Sequence, residues 1–358
     1  MRLLRREDAN DYRLTDKLLD RDLPRYGILS HTWGLENEEV TFEDVGKGAM
    51  SEKIGYSKIK FCAEQAAQDG LDHCWIDSCC INRSSSPELS EAIISMFRWY
   101  SRAAKCYVYL SDVSAVANGV QQPQEKWEAA FRASKWFTRG WTLQELLAPK
   151  LVEFYSCEGK RLGDRESLKL LIQAITRIDV QALQGVPLSR FDVDDRIAWA
   201  SRRATKLEED EAYSLIGMFG VSMGPRYGEG RESALSRLYN KIARAPNTGR
   251  MGPPSKRART DSHIEYDLFD PSQFGVTSTS PSGRDVPRSL QYNEQVETWN
   301  KRNNLFGTEK LFSGILEARK RTVGPDHPET PGSMITLAST FREQGRWHDA
   351  ERLLKQAV

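Results

Sequence analysis

Apolar positions in the first half of the chain alternate between short unbroken runs and longer stretches at helical spacing. Tyr26-Gly-Ile-Leu-Ser-His-Thr-Trp-Gly34 is the first marked run, and it ends in the polar group Ser30, His31 and Thr32, followed by Trp33. An unbroken run predicts a strand covered on both faces, as in a parallel sheet. Residues 55 to 69 then place Ile59, Cys62, Ala63 and Ala66 on one side of an amphipathic helix that stops at Gly70. His73-Cys-Trp-Ile-Asp77 reads as a second buried strand, 88 to 103 as a helix, and Cys106-Tyr-Val-Tyr-Leu110 as a third strand ending at Ser111 and Asp112. Short strands are expected over Arg2–Leu4, Tyr12–Leu14 and Leu151–Tyr155, and a helix over 165 to 176. Strands alternating with helices predict an α/β fold with a doubly wound, mostly parallel sheet. Ligands of such sheets bind at the carboxyl ends of the strands, which gathers Ser30, His31, Trp33, Asp77, Ser111 and Asp112 along one edge.

Phe137-Thr-Arg-Gly-Trp-Thr-Leu-Gln-Glu-Leu-Leu-Ala-Pro149 follows shortly after that edge in sequence. Gly140 loosens the start of a short helix and Pro149 forbids its continuation. Leu143, Leu146 and Leu147 can face a core, while Trp141 and Glu145, four apart, share a face so that the indole lies over the carboxylate. Two readings stand open at this point. Either Glu145 is a carboxylate tuned by its surroundings, with Arg139 nearby, or Trp141 is half-buried and Glu145 solvated.

Residues 195 to 244 read as helical in pieces, an extension of the first domain. From Ala245 the composition shifts to Pro, Ser, Thr, Gly and Asp, which predicts a disordered linker over 245–287. Within it, Lys256, Arg257 and Arg259 form a candidate nuclear import run, or simply solvated charge. The last part repeats: Ala350-Glu-Arg-Leu-Leu-Lys-Gln-Ala-Val358 matches the pattern of Thr308-Glu-Lys-Leu-Phe-Ser-Gly-Ile-Leu316, 42 residues earlier. Leu337, Ala338, Phe341, Gly345, Ala350, Leu354 and Ala357 fall where tetratricopeptide helix pairs place apolar and small residues. With fewer than the roughly three repeats that such stacks need, this segment is expected to fold weakly.

Composition narrows the function classes. In 358 residues, 51 Lys plus Arg against 50 Asp plus Glu give a net charge of +1, so no global field favours nucleic acid or a membrane surface. No apolar run suits a signal peptide or approaches the roughly 18 residues of a membrane span, and a soluble, cytoplasmic protein is expected. Cys62, Cys74, Cys79, Cys80, Cys106 and Cys157 lie mostly in apolar segments, as expected of reduced thiols. With His31 and His73 they fit no common zinc spacing, so neither metal nor cofactor is expected.

Three stretches resemble the signature blocks of the fungal heterokaryon incompatibility domain: Tyr26-Gly-Ile-Leu-Ser-His-Thr-Trp-Gly, Trp75-Ile-Asp-Ser-Cys-Cys-Ile-Asn and Arg139-Gly-Trp-Thr-Leu-Gln-Glu-Leu-Leu-Ala-Pro. Trp199-Ala-Ser-Arg-Arg, Glu209-Asp-Glu-Ala-Tyr-Ser-Leu-Ile-Gly-Met-Phe-Gly and Tyr227-Gly-Glu-Gly are similar to the segment that usually follows. Asn82-Arg83 departs from the Asp-Gln common in the family. The C-terminal motifs Gly324-Pro-Asp-His-Pro-Glu-Thr and Gly345-Arg-Trp-His-Asp-Ala-Glu resemble the kinesin-light-chain-like tetratricopeptide arrays of fungal NOD-like receptors, although the chain contains no phosphate-binding Gly-x-x-x-x-Gly-Lys-Ser/Thr motif.

These resemblances imply domains at 1–178 (α/β core), 179–244 (helical extension), 245–287 (linker) and 288–358 (repeat fragment), and a role in programmed cell death when unlike fungal cells fuse. The domain also looks distantly like TIR domains, whose flavodoxin-like sheet the fold would share, and Trp141-x-Leu-x-Glu-Leu is similar to the TIR Trp-Cys-x-x-Glu-Leu motif. Carried over by position, that likeness makes Glu145 the catalytic residue of an NAD glycohydrolase, with NAD as substrate rather than cofactor. Ser30, His31, Trp33, Asp77, Arg139 and Trp141 would then form the substrate site, Trp33 or Trp141 stacking on a base and Arg139 or His31 meeting pyrophosphate. The alternative is a homotypic assembly module that triggers death by clustering, with a protein partner on the repeat segment.

Overall fold

The computed structural model describes residues 1–8, 11–245 and 330–357, together with isolated positions between 309 and 324. The linker expected over 245–287, with Lys256, Arg257 and Arg259, and most of the first repeat copy lie outside the described residues.

Two strands, β1 (Leu4–Asp8) and β2 (Asp11–Leu14), precede β3 (Gly27–His31). Helices α1 (Phe42–Lys47) and α2 (Tyr56–Gln68) lead to β4 (His73–Trp75), and α3 (Ser86–Arg102) to β5 (Lys105–Tyr109). A small hairpin, β6 (Val116–Ala117) and β7 (Val120–Gln121), is followed by α4 (Gln124–Ala133), a 3-10 turn over Lys135–Thr138 and α5 (Thr142–Leu147). Then come β8 (Val152–Tyr155), β9 (Arg161–Asp164) and α6 (Lys169–Thr176). The seven-stranded sheet runs β2-β1-β4-β3-β5-β8-β9. Its centre, β4-β3-β5-β8, is parallel, while β1, β2 and β9 join antiparallel at the edges. The mixed, mostly parallel sheet agrees with the sequence pattern; β1, β2 and β9 add the antiparallel edges.

Register and strand alternation decide what lies on each face. Ile28 pairs with Trp75 and Cys106, Ser30 with Val108, and Val108 with Phe154, so these residues share one face. That face is covered by α3 and by the α4–α5 segment: Trp75 meets Trp99 and Tyr100 edge-on, and Phe154 packs among Phe131, Trp136 and Phe137. Gly27, Leu29 and His31 face the other way, with Tyr107 and Tyr109, toward α2. A Cβ on Gly27 would come 2.6 Å from Tyr107 and 3.4 Å from Ala66, so the closeness of α2 to the sheet requires glycine here. Because β3 lies between β4 and β5, the order of the parallel strands reverses beside β3.

Short helices make up the following segment: α7 (Val180–Leu183), α8 (Val193–Ala198), α9 (Asp210–Tyr213) and α10 (Arg231–Arg244). Arg196 is buried there, its guanidinium donating to Met218 O at 3.1 Å and lying over the Phe219 ring. Near the C-terminus, α11 (Thr330–Glu343) and α12 (Trp347–Gln356) form a helix pair. Met334, Leu337, Ala338, Phe341 and Ala350 are buried, and Arg346 at the turn lies over Phe341 while pairing with Glu309 and Asp349. Among the described residues no helix is long and apolar enough to cross a membrane.

Candidate functional site

Helix α5 is only six residues long, and its neighbours fix it in place. Thr142 donates its hydroxyl to the carbonyls of Trp136 (2.6 Å) and Arg139 (2.8 Å). Arg203, buried, donates to Thr142 Oγ1 (2.8 Å) and to Arg139 O (3.0 Å). Leu143 and Leu146 sink completely into the core. Gly140 turns out to serve closeness rather than looseness: its N–H donates to Ala204 O, and a Cβ there would lie 2.4 Å from the Thr205 methyl group.

This anchoring pushes Glu145 inward, under the end of β3. Its residue exposure is 6 %, so it is not solvated. Ser30 donates its hydroxyl to Glu145 Oε2 at 2.5 Å, and Trp136 Nε1 donates to Ser30 Oγ at 2.8 Å, a chain of three buried side chains. Tyr100, whose hydroxyl also donates to Leu29 O at 2.8 Å, stands within bonding reach of the same carboxyl. Burial and the negative charge of Asp77 push the Glu145 carboxyl up to about 8, against the downward pull of Ser30, Tyr100 and Arg203. Burial in turn brings the Arg203 guanidinium down to about 9, opposed by the charge of Glu145.

On the other face of β3, His31 lies between two carboxylates. Its Nε2 is 3.7 Å from Glu39 Oε2 and its Nδ1 is 3.8 Å from Asp77 Oδ1. Glu39 is also paired with Lys58 and accepts from Gly34 N–H at 2.7 Å. Burial pushes the Glu39 carboxyl up, but the bonds and charges of His31 and Lys58 with the Gly34 amide outweigh it, and the group falls to about 2. Asp77, at the end of β4, connects the two faces: it is near His31, acts on Glu145 by its charge, and accepts from Trp33 Nε1 at 2.8 Å.

A rim of aromatic side chains continues outward from Asp77. The Arg83 guanidinium lies 4.2 Å from the Trp33 ring centroid. Opposite, Asp210 accepts from Trp141 Nε1 (3.0 Å) and from the Tyr227 hydroxyl (2.8 Å). Burial raises the Asp210 carboxyl, offset in part by Trp141, Tyr227 and Arg83.

The structure thus brings Ser30, His31, Asp77 and Glu145 together, with Trp33 attached through Asp77. Trp141 stands differently from expectation. The Trp141 N–H is committed to Asp210, in α9. Arg139 offers its backbone carbonyl, and the arginine whose charge acts on Glu145 is Arg203. His31 is buried between Glu39 and Asp77, its ring nitrogens 3.7 and 3.8 Å from their carboxylates. Asp112 caps the Lys135–Thr138 turn through Lys135 N–H and the Ser134 hydroxyl, and Ser111 is exposed near Thr32. Burial raises the Cys106 thiol well above its usual range, and Cys79 is raised likewise by its bond to Cys80 and by burial, which suits inert core residues.

Sequence reasoning missed Trp136, Tyr100, Arg203, Asp210 and Tyr227. Three of these lie in the blocks after residue 195 that had been read only as an extension. A buried arginine in Trp199-Ala-Ser-Arg-Arg and an acidic residue in Glu209-Asp-Glu-Ala-Tyr were the available signals, since charges inside apolar helical stretches need partners.

Residues 26–128 match the family model of the heterokaryon incompatibility protein, and residues 302–358 a tetratricopeptide repeat model. Over 245 residues the chain is 54 % identical to the vegetative incompatibility protein HET-E-1 of Podospora anserina; the match covers 68 % of this chain and 18 % of that protein. No solved structure matches the chain. Tetratricopeptide repeats generally mediate contacts between proteins. The chain therefore carries a heterokaryon incompatibility domain followed by a tetratricopeptide repeat segment.

Proposed function

We propose that the chain is an effector of fungal vegetative incompatibility that hydrolyses the bond between nicotinamide and ribose in NAD. The observation that carries this reading is Glu145: a buried carboxyl raised to about 8, held by Ser30 at the carboxyl end of β3, beside the point where the strand order reverses. That order of parallel strands supports the flavodoxin-like, TIR-like reading of the fold.

The chemistry fits such a group. Breaking the C1′–N bond sends its electron pair to the pyridinium, which leaves as neutral nicotinamide. Positive charge moves to the ribose, water bonds to C1′, and a proton is released. A carboxylate disfavoured by burial regains stability when a cation enters beside it, so Glu145 would ionise as the pyridinium binds and then oppose the ribose cation. Ser30, itself held by Trp136, fixes the carboxyl, while Trp33 and Trp141 offer rings for stacking.

Nicotinamide release from NAD by the full chain, at high protein concentration, beside Glu145→Gln tests this. Turnover by the wild type that is lost in a folded Glu145→Gln is expected; a folded wild type without turnover overturns it. A second reading, a module that acts by self-association through its incompatibility domain, is favoured by the 6 % exposure of Glu145, which a purely structural carboxyl would share. That reading expects death-inducing activity to survive Glu145→Gln. In either case the repeat segment is the proposed contact for a protein partner, and the cytoplasm the proposed location.

A further inference from the structure

Arg83 is exposed, and its guanidinium has an aromatic neighbour. Its guanidinium lies on the Trp33 ring at 4.2 Å, and the Trp33 indole is fixed by its bond to Asp77 at 2.8 Å. Among the described residues the guanidinium has neither a carboxylate within ion-pairing distance nor a hydrogen-bond acceptor. A guanidinium lying over a ring still has N–H donors to offer, a planar fork suited to two oxygens of one phosphate or carboxylate. Stacking also reduces the freedom lost when that fork is used.

Its surroundings narrow the ligand. Arg83 reaches Asp77 through Trp33, and the charge of Asp77 acts on Glu145. The positive charge of Arg83 acts on Asp210, in α9, and on Tyr227. Tyr227 and Trp141 are both fixed by Asp210, and Tyr227 is 42 % exposed, so aromatic surface lies beside an uncommitted cation. A compact group with two oxygens flanked by a planar ring describes a nucleotide better than a peptide carboxylate.

We infer that Arg83, stacked on Trp33, is the residue that binds the diphosphate of a nucleotide ligand at the mouth of the Glu145 site. This rests on the glycohydrolase reading for the identity of the dinucleotide, but not for the binding itself. It adds Arg83 to His31 and Arg139 as a candidate for the diphosphate.

The test is equilibrium binding of ADP-ribose and of inorganic pyrophosphate to the full chain, read by calorimetry and by tryptophan fluorescence. Nicotinamide riboside, which lacks the diphosphate, serves as control. The wild type should bind both diphosphates, Arg83→Gln should weaken both at least tenfold, and Arg83→Lys should fall between, since it keeps the charge and loses the fork. The control should bind the wild type and Arg83→Gln alike. Because Arg83 is exposed, Arg83→Gln should keep the wild-type unfolding transition. Equal diphosphate binding by wild type and Arg83→Gln, or no binding by the wild type, overturns the inference. So does an Arg83-dependent poly-glutamate peptide that binds as tightly as pyrophosphate. Diphosphate binding that depends on Arg83 without any nicotinamide release would leave Arg83 in its role and remove the glycohydrolase reading alone.

Discussion

Ser30 and His31 are adjacent in sequence and serve opposite faces of the sheet. Strand alternation turns Ser30 toward α5, where it donates to Glu145 at 2.5 Å, and turns His31 toward α2, where it lies 3.7 Å from Glu39. Two carboxyls thus meet one strand end in unlike surroundings. Glu39, bonded to His31 and Lys58, is pulled down; Glu145, with hydroxyl partners and Asp77 nearby, is pushed up.

Replacing Ser30 with alanine removes the bond to Glu145 and leaves the buried Trp136 N–H without its acceptor. A loss of roughly 1–3 kcal/mol in stability is expected from the unsatisfied donor. Because the Ser30 bond holds the Glu145 pKa down, that pKa should also rise further. Urea denaturation reads the first effect. The second is followed through the infrared band of the protonated carboxyl that is absent in Glu145→Gln. A Ser30→Ala protein with unchanged stability would show that the hydrogen-bond chain contributes nothing.

The two carboxyls predict opposite pH trends. Glu145 titrates near 4.5 when unfolded and about 8 when folded, so between these values the folded state holds the extra proton and stability falls as pH rises. Glu39 titrates near 4.5 unfolded and about 2 folded, so its contribution is present above 4.5 and is lost as pH falls toward 2. Denaturation midpoints from acid to pH 9 should therefore flatten on the alkaline side in Glu145→Gln and on the acid side in Glu39→Gln. Curves that stay parallel to wild type across both windows would contradict the assigned shifts.

Gly140→Ala would place a methyl group 2.4 Å from the Thr205 methyl and separate α5 from the strand-like segment at Ala204. Overpacking of this kind costs roughly 1–3 kcal/mol. Thr205→Ser removes the opposing methyl while keeping the hydroxyl that donates to Leu207 O at 2.7 Å, so it should recover most of the loss in the double variant. Additive effects in that double-mutant cycle would mean that the clash is not the cause.

Arg203→Gln removes the fork that joins Arg139 O and Thr142 Oγ1 at the start of α5. A destabilisation of about 1–3 kcal/mol is expected from the unpaired buried acceptors. Arg203 also opposes the rise of Glu145, so the alkaline window of the Glu145 titration should extend upward. An unchanged titration would separate Arg203 from the site and leave it a purely structural residue.

The parallel core of the sheet was legible because its strands are unbroken apolar runs ending in polar residues, a pattern that burial on two faces imposes. Ser30, His31, Asp77 and Glu145 were legible for the same reason: they stand where such runs end or where a short helix is bracketed by Gly140 and Pro149. The antiparallel edges were less so, since β1, β2 and β9 are short and their pairing is decided by distant partners. Sequence order could not separate the environments of Ser30 and His31, which depend on what covers each face. Nor could it tell that Trp136, rather than Trp141, completes the chain to Glu145, or that Arg203, 58 positions downstream, returns to the same helix. Periodicity records which side of an element is buried; the identity of the buried neighbour is set by packing between segments far apart in the chain. The sequence by itself determined the strand ends and their polar residues, and tertiary packing decided which carboxyl is charged, which arginine acts on it and which aromatic ring holds it.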